Sequence, residues 1–193
     1  MDFKMFCKKY DIAICGGGIA GCAAAIAAAK RGMKTVLIEN SVIPGGLATS
    51  GLVLVYLPLC DGEGRQVVFG LSEQFLKASN QYGPADISAD WREAGKGKRL
   101  QVYFSPASFV LALDEMLTEC GVDLWFDTRI IGVEVREDKR LEAIRVANKS
   151  GTGKITADLF IDATGDADAV HFAGGECLTA RNALVSWFIE HRE

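Results

Sequence analysis

The chain contains 193 residues, of which 49% are hydrophobic and 24% charged, a composition typical of globular proteins and not of disordered or fibrous ones. Its net charge is −4 with both signs mixed along the sequence, so the basic surface of a nucleic-acid-binding protein is not expected. The longest apolar run, residues 19–29, is shorter than the about 20 residues that a membrane span needs, and no secretory or transit signal is evident. We therefore expect a soluble, cytoplasmic protein with no membrane or nucleic-acid partner.

The distribution of metal-binding side chains argues against a metal centre. Six cysteines contain no Cys-x-x-Cys pair, and only two histidines accompany them. Asp162, Asp166 and Asp168 lie close in sequence, but Thr164 and Gly165 between them favour a cofactor-binding turn over a magnesium site. We expect reduced, buried thiols and no bound metal.

The chain begins with the pattern of a strand–helix–strand unit. Residues 10–15 are an apolar run that ends in three glycines, which predicts a buried parallel strand and a tight turn. An alanine-rich helix is predicted from Ile19 to Ala29, and Gly32 is placed to end it in a left-handed conformation. Residues 34–39 predict a second strand with Glu39 at its tip.

The next segment predicts loops where many dehydrogenases have a helix. Residues 41–70 are punctuated by glycine and supply no helical pattern, unlike a nicotinamide-binding Rossmann half after its second strand. A helix is predicted to begin at Ser72, capped by that hydroxyl, and to end near Gly83. Residues 86–99 predict a polar excursion over the surface.

The second half of the chain predicts one helix and a β-meander. Ser105 and Pro106 are typical of a helix start, and Gly121 of its end. A strand over residues 122–126, two alternating segments over 128–136 and 141–147, and a buried strand over 157–163 follow. Residues 182–192 predict a modest amphipathic helix or a frayed tail.

The glycine motif at residues 16–21 predicts a dinucleotide site. Gly16, Gly18 and Gly21 fit G-x-G-x-x-G, in which glycines allow a tight turn, close approach of a pyrophosphate and close helix packing. The amides that open the following helix attract the anion. Glu39 lies 39 − 16 = 23 positions after Gly16, near the ~20 expected for a carboxylate that binds ribose hydroxyls. Dinucleotide binding is therefore favoured over a purely structural turn, and the acid disfavours the 2′-phosphate of NADP.

These residues resemble the FAD-dependent oxidoreductases of glutathione-reductase-type fold over most of residues 10–173. The resemblance rests on residues 16–21, Glu39, Pro44-Gly45-Gly46 and Ala163-Thr164-Gly165-Asp166. It implies that FAD is bound with its pyrophosphate on the first glycine loop, its adenosine ribose on Glu39, and its flavin side next to the second glycine pair.

The resemblance also implies contacts from loops that follow in the chain. Leu47 and Ala48, which follow the second glycine pair, would lead toward the flavin ring. The meander would cover the adenine, with backbone contacts from Arg129 and Ile130. The full set of predicted cofactor-binding residues is Gly16, Gly18, Ile19, Ala20, Gly21, Glu39, Asn40, Gly45, Gly46, Leu47, Ala48, Arg129, Ile130, Ala163, Thr164, Gly165 and Asp166.

The predicted fold class is α/β: a three-layer, Rossmann-like FAD-binding domain with a central parallel sheet, a β-meander crossover on one face and helices on the other. Residues 1–9 are assigned to an N-terminal tail, 10–173 to a partial FAD-binding domain, and 174–193 to a C-terminal tail or short helix. Proteins of this kind continue with a substrate domain and a last strand and helix that return to the flavin. We therefore expect a truncated chain: a fragment, a chain completed by a partner, or a remnant without turnover.

The predicted function is flavin-mediated hydride or electron transfer on an unidentified small-molecule substrate. No catalytic side chain is identified, because His171 favours a packed or surface role and Cys60 has no partner cysteine for redox chemistry. One alternative is a non-catalytic dinucleotide-binding or partner-docking module, in which self-association or a partner chain covers the incomplete domain. The other is an NAD-dependent dehydrogenase.

Overall fold

The computed structural model describes residues 6–57, 59–61, 63, 65–83 and 102–178. The strands are β1 (Phe6–Cys15), β2 (Thr35–Ile38), β3 (Val55–Tyr56), β4 (Val102–Tyr103), β5 (Asp123–Trp125), β6 (Arg129–Val135), β7 (Leu141–Asn148) and β8 (Gly151–Asp162). The α-helices are α1 (Ile19–Ala29), α2 (Leu71–Ala78), α3 (Pro106–Glu119) and α4 (Asp168–Phe172), and a 3₁₀ turn spans Gly46–Ala48. The predicted helix or tail at 182–192 and the excursion at 86–99 lie outside the described residues.

Six strands form one sheet in the order β5-β2-β1-β8-β7-β6, while β3 and β4 form a separate pair. β1 runs parallel to β2 and β8, and β2 runs parallel to β5. β7 pairs antiparallel with β8 and with β6, which makes the predicted meander. The predicted strand at 157–163 is the second half of β8, whose first half pairs with β7. The predicted α/β, Rossmann-like fold is confirmed.

The two faces of the sheet carry separate apolar cores because side chains alternate along each strand. On one face, Ile12, Ile14 and Leu37 pack with α1, α2 and α3. On the other, Ala13, Cys15, Val36 and Ile38 pack with the meander residues Ile144, Val146 and Ile155. The three layers are therefore helices, central sheet and meander. α1 approaches the sheet closely because it presents small side chains, Cys22 and Ala25, which are fully buried.

The first strand begins at Phe6, so residues 6–9, predicted as part of a tail, belong to the sheet. They pair with residues 153–156 of β8. Lys8 and Lys9 carry no apolar signal, but the Lys8 ammonium lies 4.8 Å from the centre of the Trp125 ring and 3.5 Å from the Asp123 carboxylate. A polar start to this strand is stabilised by contacts distant in sequence.

The structure agrees with two of three local predictions: the loop segment after β2 and the start of α3 are as predicted, and the start of α2 is not. Between Glu39 and Gly70, the described residues contain a 3₁₀ turn and β3 but no α-helix, as predicted. The prediction of a Ser72 cap is wrong: Gly70, with φ 72°, precedes the helix, and Gln74 donates its backbone N–H to the Gly70 carbonyl. Glycine reaches that conformation without strain, so the helix begins at Leu71. The Ser105 cap on α3 is confirmed by the hydrogen bond from Ser108 N.

Candidate functional site

The carboxyl ends of β1, β2 and β8 meet at one edge of the sheet, as parallel strands require, and border a cavity of about 450 Å³. This is the place where open α/β sheets bind ligands. Predicted site residues that line the cavity are Gly16, Glu39, Asn40, Arg129, Ile130, Thr164 and Asp166. Lining residues that the sequence analysis did not identify are Ile38, Thr128, Asp168 and Phe172. They come from three separate parts of the chain, and only Asp168 belongs to a local pattern, the acidic cluster with Asp162 and Asp166.

The outer glycines of the first loop are required by packing. A Cβ on Gly16, which has φ +100°, would lie 2.4 Å from the carbonyl oxygen of Ala163. A Cβ on Gly21 would lie 1.8 Å from the carbonyl oxygen of Gly16. Both distances are far below van der Waals contact, so any side chain would push α1 or the turn after β8 away from the loop.

Gly18 differs from these glycines because it faces open space. Its backbone is extended (φ −64°, ψ 176°), and a Cβ built on it meets nothing within 4 Å. It caps α1 without a side-chain hydrogen bond, and the first turn of α1 contains no acid. The first amides of a helix lack intrahelical partners and carry a partial positive charge, so the space beside Gly18 suits an anion. Ile19 and Ala20 are the first residues of this helix.

The second glycine loop, residues 45–46, is hydrogen-bonded directly to the first, residues 16–18. Gly45 N donates to the Gly17 carbonyl at 2.7 Å, and a Cβ on Gly46 would lie 3.0 Å from Gly18 Cα. Both glycines have positive φ, +103° and +53°. The chain then turns so that the Leu47 side chain is 75% exposed while Ala48 packs against the helix-side core.

Glu39 lies directly beside the first loop. Its Oε2 accepts a hydrogen bond from Gly17 N at 2.5 Å, and its Oε1 accepts one from Ser41 N at 2.6 Å. These bonds fix the carboxylate at the rim of the cavity. Each oxygen of an ionised carboxylate keeps further acceptor capacity, which suits the hydroxyls of a sugar.

The meander joins this edge at the start of β6. Thr128 N donates to the Glu39 carbonyl at 3.0 Å, and Arg129 Nε donates to Asn40 Oδ1 at 3.1 Å. Ile130 packs with the core on the meander side of the sheet. The end of β2 and the start of β6 thus form adjoining walls of one cavity.

The turn after β8 is held by Asp162. Its Oδ1 accepts from Thr164 N at 3.1 Å and from Thr164 Oγ1 at 2.8 Å, and its Oδ2 accepts from Val170 N at 2.9 Å. Burial raises the pKa of this carboxyl, but the bonds donated by Val170 and Thr164 outweigh it and hold the pKa below its usual value. These hydrogen bonds hold the turn at residues 163–165 against α4. Asp166, the next residue of the turn, is exposed. In the sequence, Asp162 stands out only as a member of an acidic cluster.

Asp162→Asn should therefore lower the free energy of unfolding by about 1–3 kcal/mol at pH 7, because an amide cannot accept all of these bonds. Since the folded pKa is depressed, the wild-type carboxylate stabilises the fold above the unfolded pKa of about 3.9 and loses this contribution as pH falls through the folded value. Urea unfolding at several pH values measures both effects. Asp158→Asn, at an exposed position on the same strand, is the control and should change little. Equal stability of wild type and Asp162→Asn at pH 7 would contradict the network.

Two thiols next to the glycine loop are buried and neutral. Burial raises the pKa of Cys15 and of Cys22 to about 12, and Cys22 Sγ donates to the Gly17 carbonyl at 3.2 Å. Neither therefore adds negative charge near the first amides of α1. Cys7 and Cys177 are exposed, so the expectation that all thiols are buried is wrong, and all six cysteines are free.

The described residues contain no group of three or more side chains that could hold a metal ion. No helix within those same parts of the chain has the length and apolar character needed to cross a membrane.

Comparison with known proteins identifies the family. The sequence pattern described as FAD dependent oxidoreductase matches residues 11–184. The chain belongs to this family. Its residues fit FAD, because a helix start without a side-chain cap, a carboxylate after the second strand and a cavity of about 450 Å³ lie along one edge.

Relatives cover the chain well, but the chain covers only part of them. It is 24% identical over 182 residues to the digeranylgeranylglycerophospholipid reductase of Thermoplasma volcanium, a match that spans 93% of this chain and 46% of the relative. It is 31% identical over 155 residues to the tRNA uridine 5-carboxymethylaminomethyl modification enzyme of Desulfotalea psychrophila, covering 75% of this chain and 24% of that enzyme. The chain thus spans less than half the length of these relatives.

A solved structure confirms the fold. The geranylgeranyl bacteriochlorophyll reductase-like protein of Thermoplasma acidophilum superposes with a TM-score of 0.63 at 24% identity, over 92% of this chain and 45% of that one.

Proposed function

We propose that this protein binds FAD along the carboxyl edge of its sheet and serves flavin-dependent oxidation or reduction of a small-molecule substrate. The observation that carries the proposal is the open space at Gly18, where the second glycine loop is hydrogen-bonded to the first and α1 begins without a side-chain cap. When bound, FAD supplies the hydride or electron transfer itself.

The protein's own contribution is binding and orientation. The amides of residues 18–21 would hold the pyrophosphate, and Glu39 would accept hydrogen bonds from the adenosine ribose. The cavity between β2, β6 and α4 would take the adenine. The loop at residues 45–48 would place its backbone near the flavin, and the turn at residues 163–166 would close the site from the β8 side.

Replacement of Glu39 tests the ribose assignment. Glu39→Gln should weaken FAD binding by about tenfold, because charge-assisted hydrogen bonds to the ribose hydroxyls are lost. Fluorescence quenching during FAD titration measures the affinity. Glu119→Gln, an exposed position on α3 away from the cavity, is the matched control and should bind FAD like wild type. An unchanged affinity in Glu39→Gln would remove this residue from the site.

Self-association is a second candidate property, favoured by one observation. In the segment that follows the second glycine loop in sequence, Leu47, Leu52, Leu57 and Phe69 are between 61% and 75% exposed, and exposed apolar residues favour association. Light scattering over a concentration series tests it. A monomer at all concentrations would contradict the docking function.

We also propose that the protein works in the cytoplasm. All six cysteines are free, as expected in a reducing compartment.

A further inference from the structure

One wall of the cavity carries an arginine that is hydrogen-bonded to a distant segment of the chain. Arg129 is the first residue of β6, and Asn40 follows the carboxylate at the end of β2. These residues are 89 positions apart in sequence, yet Arg129 Nε donates to Asn40 Oδ1 at 3.1 Å. Because Nε lies in the plane of the guanidinium, a bond at this atom restricts how the whole plane can turn.

The guanidinium of Arg129 forms no ion pair within the described residues, so its other nitrogen atoms and its flat face could contact a ligand. Within the described ranges, no carboxylate forms an ion pair with Arg129, although Asp166 and Asp168 line the same cavity. Arg129 is exposed and lines the cavity. It therefore presents a flat, charged face that is not used within the described part of the protein.

The remaining walls suit a flat, aromatic ligand. Half-buried Ile130 provides aliphatic surface and Phe172, which is 45% exposed, provides aromatic surface, while Ile38 is buried. Asn40 directly follows Glu39, so a base attached to a ribose at Glu39 would lie next to the Asn40–Arg129 pair. Planar guanidinium groups stack on aromatic rings and attract their π-faces.

We propose that Arg129 stacks its guanidinium on the adenine of FAD, and that Asn40 is a positioning residue that holds the guanidinium in place for this contact. The inference rests on the proposed function, since it needs adenosine in this cavity. Because Asn40 orders the arginine before the ligand arrives, less side-chain freedom is lost on binding.

The test is a titration with FAD and, separately, with ADP. Arg129→Ala should weaken both by about tenfold, and Asn40→Ala by about threefold. Arg129→Lys should lose nearly as much as Arg129→Ala, because lysine keeps the charge but not the flat face. Binding of FMN, which has no adenine, should be equal in wild type and all three variants. Arg145→Ala, an exposed arginine on β7 outside the cavity, is the control and should not change any affinity.

Wild-type affinity in Arg129→Lys would overturn the stacking contact in favour of a charge contact to phosphate. An unchanged affinity in Arg129→Ala would exclude a contact of either kind, and in Asn40→Ala it would exclude the positioning role. Wild-type protein that binds neither FAD nor ADP would instead contradict the proposed function. The melting temperature without ligand should be the same in all variants, and a fall in Arg129→Ala would show that the residue acts on the fold and overturn the proposal.

Discussion

Gly18→Val is expected to weaken FAD binding by about 100-fold or more while changing the free energy of unfolding by less than about 0.5 kcal/mol. The extended backbone of Gly18 is one that valine adopts readily, and a Cβ there meets no atom within 4 Å. The branched side chain would instead fill the space before α1. Hydrogen bonds from the helix amides to phosphate, each contributing about 1.5–3 kcal/mol, would be lost.

FAD titration and urea unfolding measure the two effects independently. Gly18→Ala is the graded comparison: its single methyl group should reduce affinity less than valine does and should also leave stability unchanged. A valine variant that binds FAD with wild-type affinity would show that the phosphates lie elsewhere.

Gly21→Ala, in contrast, is expected to lower the stability of the fold. The new Cβ would lie 1.8 Å from the Gly16 carbonyl oxygen, so α1 must move away from the first strand and its turn. Overpacking of this kind typically destabilises a protein by about 1–3 kcal/mol, and the clash here is with rigid backbone, so we expect about 3 kcal/mol. Thermal unfolding should show a melting temperature lower by about 6–12 °C.

Gly18→Ala serves as the matched control for this stability effect, since it adds the same methyl group three positions earlier in the same loop. A Gly21→Ala variant as stable as the control would contradict the close approach of α1 to the glycine loop. The two glycines thus separate binding from folding within one motif.

Local sequence patterns predicted the glycine loop and the carboxylate that follows the second strand. The glycine motif before α1 was recognised because tight turns and close approaches need glycine, and the structure shows the clashes that a side chain at Gly16 or Gly21 would cause. Glu39 was recognised by its distance from the motif and its place at the tip of a strand. The structure brings both to one cavity, and their roles toward FAD remain predictions.

Contacts between distant segments could not be predicted in this way. Asp162 and Val170 are linked only because α4 folds back on the turn after β8, and Phe172 lines the cavity for the same reason. The early start of β1 depends on pairing with β8, which begins more than a hundred residues later.

The prediction that Ser72 caps α2 was wrong for a local reason. Gly70 takes the cap position, so the helix begins one residue before Ser72.

The most direct test of FAD binding is the visible absorption spectrum of the purified protein after incubation with FAD and removal of free cofactor by gel filtration. We expect flavin to elute with the protein at about one flavin per chain. A folded protein, verified by circular dichroism, that elutes without flavin would contradict the claim that this edge of the sheet is an FAD site.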